Sequence, residues 1–260
     1  MKLWDVTKNE SSEYLEFVNQ SEYSSISSLS WSKDDDLLVW VTSLGELCLL
    51  DPNSKEVLSL DRESASGLSF VTFSQLYQNI FFVGHTSGDF SLNVLSPEGK
   101  LQKKKYSLHS NKVSELISSK LNENLLISLS IDQTVNLFDL NEGKNIQQID
   151  VGFPILCGDL NEADYTLVLG GVGGIMQKFD LRKFDRPLLS YQGHKKKDVK
   201  GLNYNKRYIK KKIGKFVPRD EGLKPKRFSS ISQVNKLSDK MSKFETEINN
   251  SKSKVRFCFE

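Results

Sequence analysis

Residues 128–139 read Ser-Leu-Ser-Ile-Asp-Gln-Thr-Val-Asn-Leu-Phe-Asp. Apolar residues lead into the stretch from Leu125-Leu-Ile127, polar residues cluster at Asp132-Gln133, and an alternating Val135-Asn-Leu-Phe138 follows. A period of two on both sides of a short polar break reads as two antiparallel strands and a tight turn. Residues 170–182, GGVGGIMQKFDLR, pose the same question with different residues. Glycines after an apolar run (Tyr165-Thr-Leu-Val-Leu169) suggest a phosphate-cradling loop, but a dinucleotide loop needs a helix after its glycines. Here Ile175-Met-Gln-Lys-Phe179 continues as a strand. Aligning Asp180 with Asp139 sets Gly173 opposite Asp132, so this is again a strand-joining turn, where glycine supplies positive φ without steric cost.

The pattern extends outward from these two turns into four similar units. Their third strands end at Asp51, Leu95, Asp139 and Asp180, which are 44, 44 and 41 residues apart. Ahead of these come first strands at Ser27–Trp31, Gly67–Phe73, Val113–Ile117 and Pro154–Leu160. Second strands follow at 36–42, 79–84, 124–128 and 165–169. A fourth run closes each unit: Glu56–Leu60, Leu101–Tyr106, Asn145–Ile149 and Pro187–Tyr191. Four strands per 40–45 residues is the spacing of a β-propeller blade. The expectation is an all-β propeller with four complete blades. At the ends, Met1–Asp5 and Glu13–Val18 read as third and fourth strands, and Asp198–Tyr204 as a lone first strand. These make a composite fifth blade or leave an incomplete ring, and both readings stay open. Open blade edges would favour self-association.

Composition narrows the functional classes. The chain has 260 residues, a net charge of +3 and a mean hydropathy of −0.41. Its longest apolar runs, such as Asn79-Ile-Phe-Phe-Val83, are strand-sized, so no membrane span is expected, and no secretory signal is visible. Cys48, Cys157 and Cys258 are far apart and read as buried thiols, with no paired spacing for zinc. The only histidines are His85, His109 and His194, none beside a nucleophile motif. No catalytic, metal-binding or cofactor-binding residues are expected, and no cofactor.

Charge divides the chain. Residues 1–205 hold the strand pattern, 206–232 a basic linker, 233–249 a short amphipathic helix and 250–260 a tail. The basic run comprises Lys195, Lys196, Lys197, Lys200, Lys206, Arg207, Lys210, Lys211, Lys212 and Lys215, against Asp198 as the one acid. It reads as a solvated loop, a nuclear localisation signal or a patch for an acidic partner. No RNA-binding motif accompanies it, so nucleic acid is not the expected partner. In the helix, Val234, Leu237, Met241, Phe244 and Ile248 recur at spacings of 3, 4, 3 and 4, a heptad-like stripe that needs a partner surface.

With His109 ahead of it, the 128–139 stretch resembles the WD-repeat signature. The resemblance implies a hydrogen-bonded chain in which Asp132 accepts from His109 and Ser128 follows. Phe138 stands where the family has Trp, so the indole link is missing. The order from His109 to His194, with Lys144–Leu160, Ala163–Gly171 and Lys178-Phe-Asp-Leu-Arg182, resembles the N-terminal propeller of the GCP-WD family of γ-tubulin ring complex adaptors. The openings Met1-Lys-Leu-Trp-Asp-Val6 and Ile26–Ser32 are similar to that propeller too. The chain departs from the family in lacking about two blades and most of the C-terminal helical region. The resemblance implies a non-catalytic scaffold for γ-tubulin complexes, acting in microtubule nucleation at centrosome and spindle in the cytoplasm. Phe179-Asp-Leu-Arg182 also resembles the W-D-x-R box of cullin-4 ubiquitin ligase substrate receptors, which makes Arg182 a candidate partner contact. That receptor role and a generic protein-interaction scaffold are the alternatives.

Overall fold

The computed structural model describes residues 2–4, 13–16, 25–52, 54, 56–62, 67–96, 99–193 and 197–202. Four antiparallel sheets of four strands each follow one another along the chain. Blade 1 is Ile26–Trp31, Leu38–Thr42, Glu46–Asp51 and Glu56–Arg62; blade 2 is Leu68–Phe73, Ile80–His85, Asp89–Leu95 and Leu101–Ser107. Blade 3 is Val113–Ser118, Leu125–Ser130, Thr134–Asp139 and Lys144–Asp150; blade 4 is Ile155–Asn161, Thr166–Gly171, Ile175–Asp180 and Leu189–Gln192. In each blade the strands pair in chain order. This is a WD40-type β-propeller, and the four described blades form an incomplete ring.

The apolar runs are continuous because the second and third strands of a blade bury both faces. In blade 3, Leu126 and Phe138 pack with Phe82 and Phe90 of blade 2, while Ile127, Leu129 and Leu137 pack with Ile155, Leu167 and Phe179 of blade 4. Between blades 1 and 2, Val39, Val41 and Leu49 meet Val71, Phe73 and Phe81. A strand covered on both sides cannot alternate, so these read as unbroken hydrophobic stretches. The outer strands pack on one side only and carry the charge, as in Lys103-Lys-Lys105.

The turn between second and third strands uses a left-handed residue in every blade: Gly45 (φ 86), Gly88 (φ 95), Gln133 (φ 75) and Gly174 (φ 76). The glycine cluster that opens 170–182 makes a short 3-10 turn at Val172–Gly174 and then the strand Ile175–Asp180, with Gly173 also at positive φ. Gln133 is the one position of the four with a Cβ to strain there. Gln133→Gly is expected to raise stability by up to about 1 kcal/mol, read as a higher urea midpoint at unchanged slope. A lower midpoint would show that the Gln133 side chain contributes more than its backbone strain removes.

Two strand expectations differ in detail. The last strand of blade 4 starts at Leu189 rather than Pro187. Pro187 has no N–H for the ladder, and Leu188 N instead donates to Lys178 O at 2.7 Å. Asp198–Leu202 carries no strand, yet Val199 is buried, its N donates to Gly171 O at 3.1 Å, and its side chain lies against Gly170. The N-terminal stretch forms an antiparallel hairpin, Lys2–Trp4 with Glu13–Glu16, which no other described strand joins. The chain divides into two units, Met1–Ile209 and Lys210–Glu260. The linker from 206, the helix residues Val234, Leu237, Met241, Phe244 and Ile248, and the tail lie outside the described residues.

Candidate functional site

The most concentrated polar chemistry sits inside blade 3. His109 enters from the loop before the blade, Ser128 from its second strand, and Asp132 from the turn that follows. His109 Nδ1 lies 3.2 Å from Asp132 Oδ2 and 2.8 Å from Thr134 Oγ1, and His109 Nε2 lies 2.9 Å from Ser128 Oγ. With the proton on Nδ1, the imidazole donates to the carboxylate and accepts the serine hydroxyl. Asp132 also accepts from Ser110 N (2.9 Å), Thr134 N (2.9 Å) and Thr134 Oγ1 (2.7 Å). The Asn136 amide nitrogen stands 3.2 Å from both ring nitrogens. Thr134 and Asn136 were not singled out from sequence. The signal for Thr134 is its place two residues after an Asp in a turn, where its N–H and hydroxyl both return to that carboxylate.

Burial lowers the pKa of His109, with the Asp132 charge opposing, so the ring is neutral at pH 7. Burial tends to raise Asp132, but the hydrogen bonds from Thr134 and Ser110 outweigh it and hold the carboxyl below its usual range. An Asp–His–Ser chain has the residue types of a hydrolytic triad, but a triad needs a serine that meets substrate. Here the His109 and Ser128 side chains have no exposure at all. The arrangement ties the turn to the second strand and to the preceding loop. Phe138 lies beyond it as packing, edge-on to Phe90 (5.0 Å) and Tyr106 (4.8 Å).

Two cavities flank the middle blades. One of about 420 Å³ runs along the first strands of blades 2, 3 and 4, lined by Phe70, Leu116 and Ile117 and by Glu115, Asp159 and Glu162. Burial and the Asp159 charge push Glu115 up to about 7, against a 2.6 Å hydrogen bond from Gly158 N. The second, of about 230 Å³, lies between blades 3 and 4. Among the described residues no group of three or more His, Cys, Asp or Glu is placed to hold a metal. Cys157 is buried and Cys48 half-buried, and burial pushes their thiols to about 12 and about 11.

Arg182 stands apart from the blade 3 network, just after the third strand of blade 4. Its guanidinium forks onto Asp180, Nε to Oδ1 at 2.8 Å and Nη2 to Oδ2 at 2.6 Å, while over half the side chain stays exposed. Of the basic run, Lys197 and Lys200 are exposed. Lys195, Lys196, Lys206, Arg207, Lys210, Lys211 and Lys212 lie outside the described residues.

Blades of this pairing and length, with an Asp–His–Ser chain inside blade 3, define the class as a WD40-like propeller. Two curated relatives point the same way, and both are WD-repeat proteins. The chain is 31% identical over 84 residues to the U3 small nucleolar RNA-associated protein 15 homolog of Danio rerio, covering 32% of this chain and 16% of that protein. It is 26% identical over 89 residues to Protein NEDD1 of Homo sapiens, covering 34% of this chain and 14% of that protein. The matched stretch is thus less than a fifth of either relative. No family model matches the chain.

Proposed function

We propose that the chain is a non-catalytic WD-repeat scaffold that brings γ-tubulin complexes to centrosome and spindle microtubules, in the cytoplasm. The observation that carries this reading is the residue order from His109 to His194, which resembles the GCP-WD propeller. The similarity to Protein NEDD1 over 89 residues agrees with a WD-repeat scaffold. The sealed histidine chain of blade 3 supports a structural rather than a catalytic centre. In this reading the basic stretch, with Lys195, Lys196, Lys197, Lys200, Lys206, Arg207, Lys210, Lys211 and Lys212, faces acidic tubulin surfaces. The stripe of Val234, Leu237, Met241, Phe244 and Ile248 pairs with a partner helix. Tagged protein is expected to concentrate at spindle poles and to retain γ-tubulin in a pulldown. Accumulation in the nucleolus, or a pulldown without γ-tubulin, would sink the proposal.

A second reading rests on Arg182. Its exposed guanidinium, fixed by Asp180, resembles the arginine of the cullin-4 receptor box. Binding to the ligase's propeller adaptor should then fall at least tenfold in Arg182→Ala. Undiminished binding removes this reading.

A further inference from the structure

On the face it turns away from the preceding blade, blade 4 repeats blade 2. Gly84 of blade 2 and Gly170 of blade 4 each leave a gap that a valine 29 residues later fills. A Cβ at Gly84 would stand 2.8 Å from Val113 Cγ1, and one at Gly170 2.6 Å from Val199 Cγ1. The carbonyl of each valine accepts from the first strand of the blade beneath it. Val113 O accepts from Ser69 Oγ at 2.7 Å, and Val199 O from Cys157 Sγ at 3.3 Å. Val113 begins the first strand of blade 3, and Val113-Ser-Glu-Leu116 matches Val199-Lys-Gly-Leu202 in its apolar positions. Val199 sits where a next blade starts.

The outer half of the same face differs. In blade 2, Phe90 pairs with Tyr106 across the third and fourth strands, and Phe138 of blade 3 packs on both rings. In blade 4, Met176 pairs with Tyr191, and Met176 lies opposite Gly170 as Phe90 lies opposite Gly84. Tyr106 is half-buried, whereas Tyr191 is 61 % exposed. The place that Phe138 takes on blade 2 is open on blade 4.

The N-terminal hairpin has a residue for that place. Lys2–Trp4 pairs with Glu13–Glu16, and the register slips between Leu3 and Trp4. The third and fourth strands of blade 3 slip between Leu137 and Phe138. Superposing the slips puts Trp4 on Phe138, and Leu3-Trp-Asp5 on Leu137-Phe-Asp139. The opposite side of the gap also asks for a blade. Leu38, Trp40 and Leu50 of blade 1 are as buried as the clusters between blades, yet their described neighbours, Ile26 and Cys48, belong to blade 1 itself.

We infer that Trp4 docks on the socket of Met176 and Tyr191, so that the hairpin and the segment from Val199 build one further blade between blade 4 and blade 1. Val199 starts its first strand, and the hairpin supplies its third and fourth. Trp4 lies against the Tyr191 ring and the Met176 thioether, a contact between a polarisable sulfur and an aromatic face. Leu3, on the other side of the same strand, turns to Leu38, Trp40 and Leu50. The chain's own hairpin is the occupant because its slip and its Leu-Trp-Asp order belong to the blade position that the socket leaves open. The inference goes beyond the scaffold reading and holds whichever partner the propeller binds.

NMR of the full, nitrogen-15-labelled chain tests this through the indole N–H signals of Trp4, Trp31 and Trp40, with Trp4→Phe assigning the first. Tyr191→Ala changes an exposed side chain, so it folds, and it is expected to move the Trp4 indole signal. In urea, Trp4→Ala should lower the unfolding midpoint by about 1 M or more, as for other buried aromatics cut to alanine. Tyr191→Ala should lower the midpoint of the wild type and lower it no further in Trp4→Ala. An unmoved Trp4 indole signal, or the same loss from Tyr191→Ala with and without Trp4, would overturn the inference. Sedimentation is expected to show a monomer for both the wild type and Trp4→Ala. A wild-type dimer that dissociates in Trp4→Ala would also overturn it, since a second copy's hairpin would then fill the socket.

Discussion

Asp132→Ala is expected to destabilise the chain by about 3–5 kcal/mol. The carboxylate receives four groups at once: the Ser110 N–H, the Thr134 N–H, the Thr134 hydroxyl and the imidazole of His109. Only 7 % of its side chain is exposed, so little water can replace it. Hydrogen bonds to an ionised acceptor contribute about 1.5–3 kcal/mol each, and losing a shared acceptor strands every donor together. Asp132→Asn keeps one oxygen and should lose roughly half as much. Chemical denaturation followed by far-UV circular dichroism reads both. A loss under about 1 kcal/mol for Asp132→Ala would mean that the turn is held by the backbone alone.

The same turn shows what the sequence makes readable. Repeat spacing placed all four blades, because a strand buried on both faces shows as an apolar run and every turn between runs needs polar or glycine residues. The alignment of Gly173 with Asp132 follows from that spacing, and both fall in the turn between second and third strands. The residues of the blade 3 chain were readable through the WD-repeat resemblance, because His109, Ser128 and Asp132 stand at family positions. Thr134 and Asn136 were not, since a Thr or Asn in a strand gives no sign of where its side chain points. Glu115 was also hidden. A glutamate in Val113-Ser-Glu-Leu-Ile117 looks like the solvent-facing member of an alternating strand, whereas the neighbouring blade covers that face. The cavity beside Arg182 was invisible for the same reason, as its walls come from two blades about 40 residues apart.

Glu115→Gln is expected to stabilise the chain above pH 7 by ~3 kcal/mol and to have little effect below pH 4.5. Burial raises the carboxyl from its ordinary 4.5 to about 7, with Asp159 adding repulsion. A folded-state pKa above the unfolded one means stability is fully present below 4.5. It falls as pH rises and levels off beyond about 7. Glutamine keeps an oxygen to accept from Gly158 N but never ionises, so the loss disappears. His109 works in the opposite sense. Its folded pKa is depressed below 6.5, so it loses stability as pH falls below that value. Between pH 4.5 and 7 the two slopes oppose each other in the wild type and flatten its profile. In Glu115→Gln the Glu115 slope is gone and the His109 slope remains, so the variant's advantage of ~3 kcal/mol over the wild type should disappear as the pH falls from above 7 to 4.5. Urea midpoints measured from pH 4.5 to 8.5 separate the outcomes. Parallel profiles for the two proteins would show that Glu115 is ionised and solvated in the folded state.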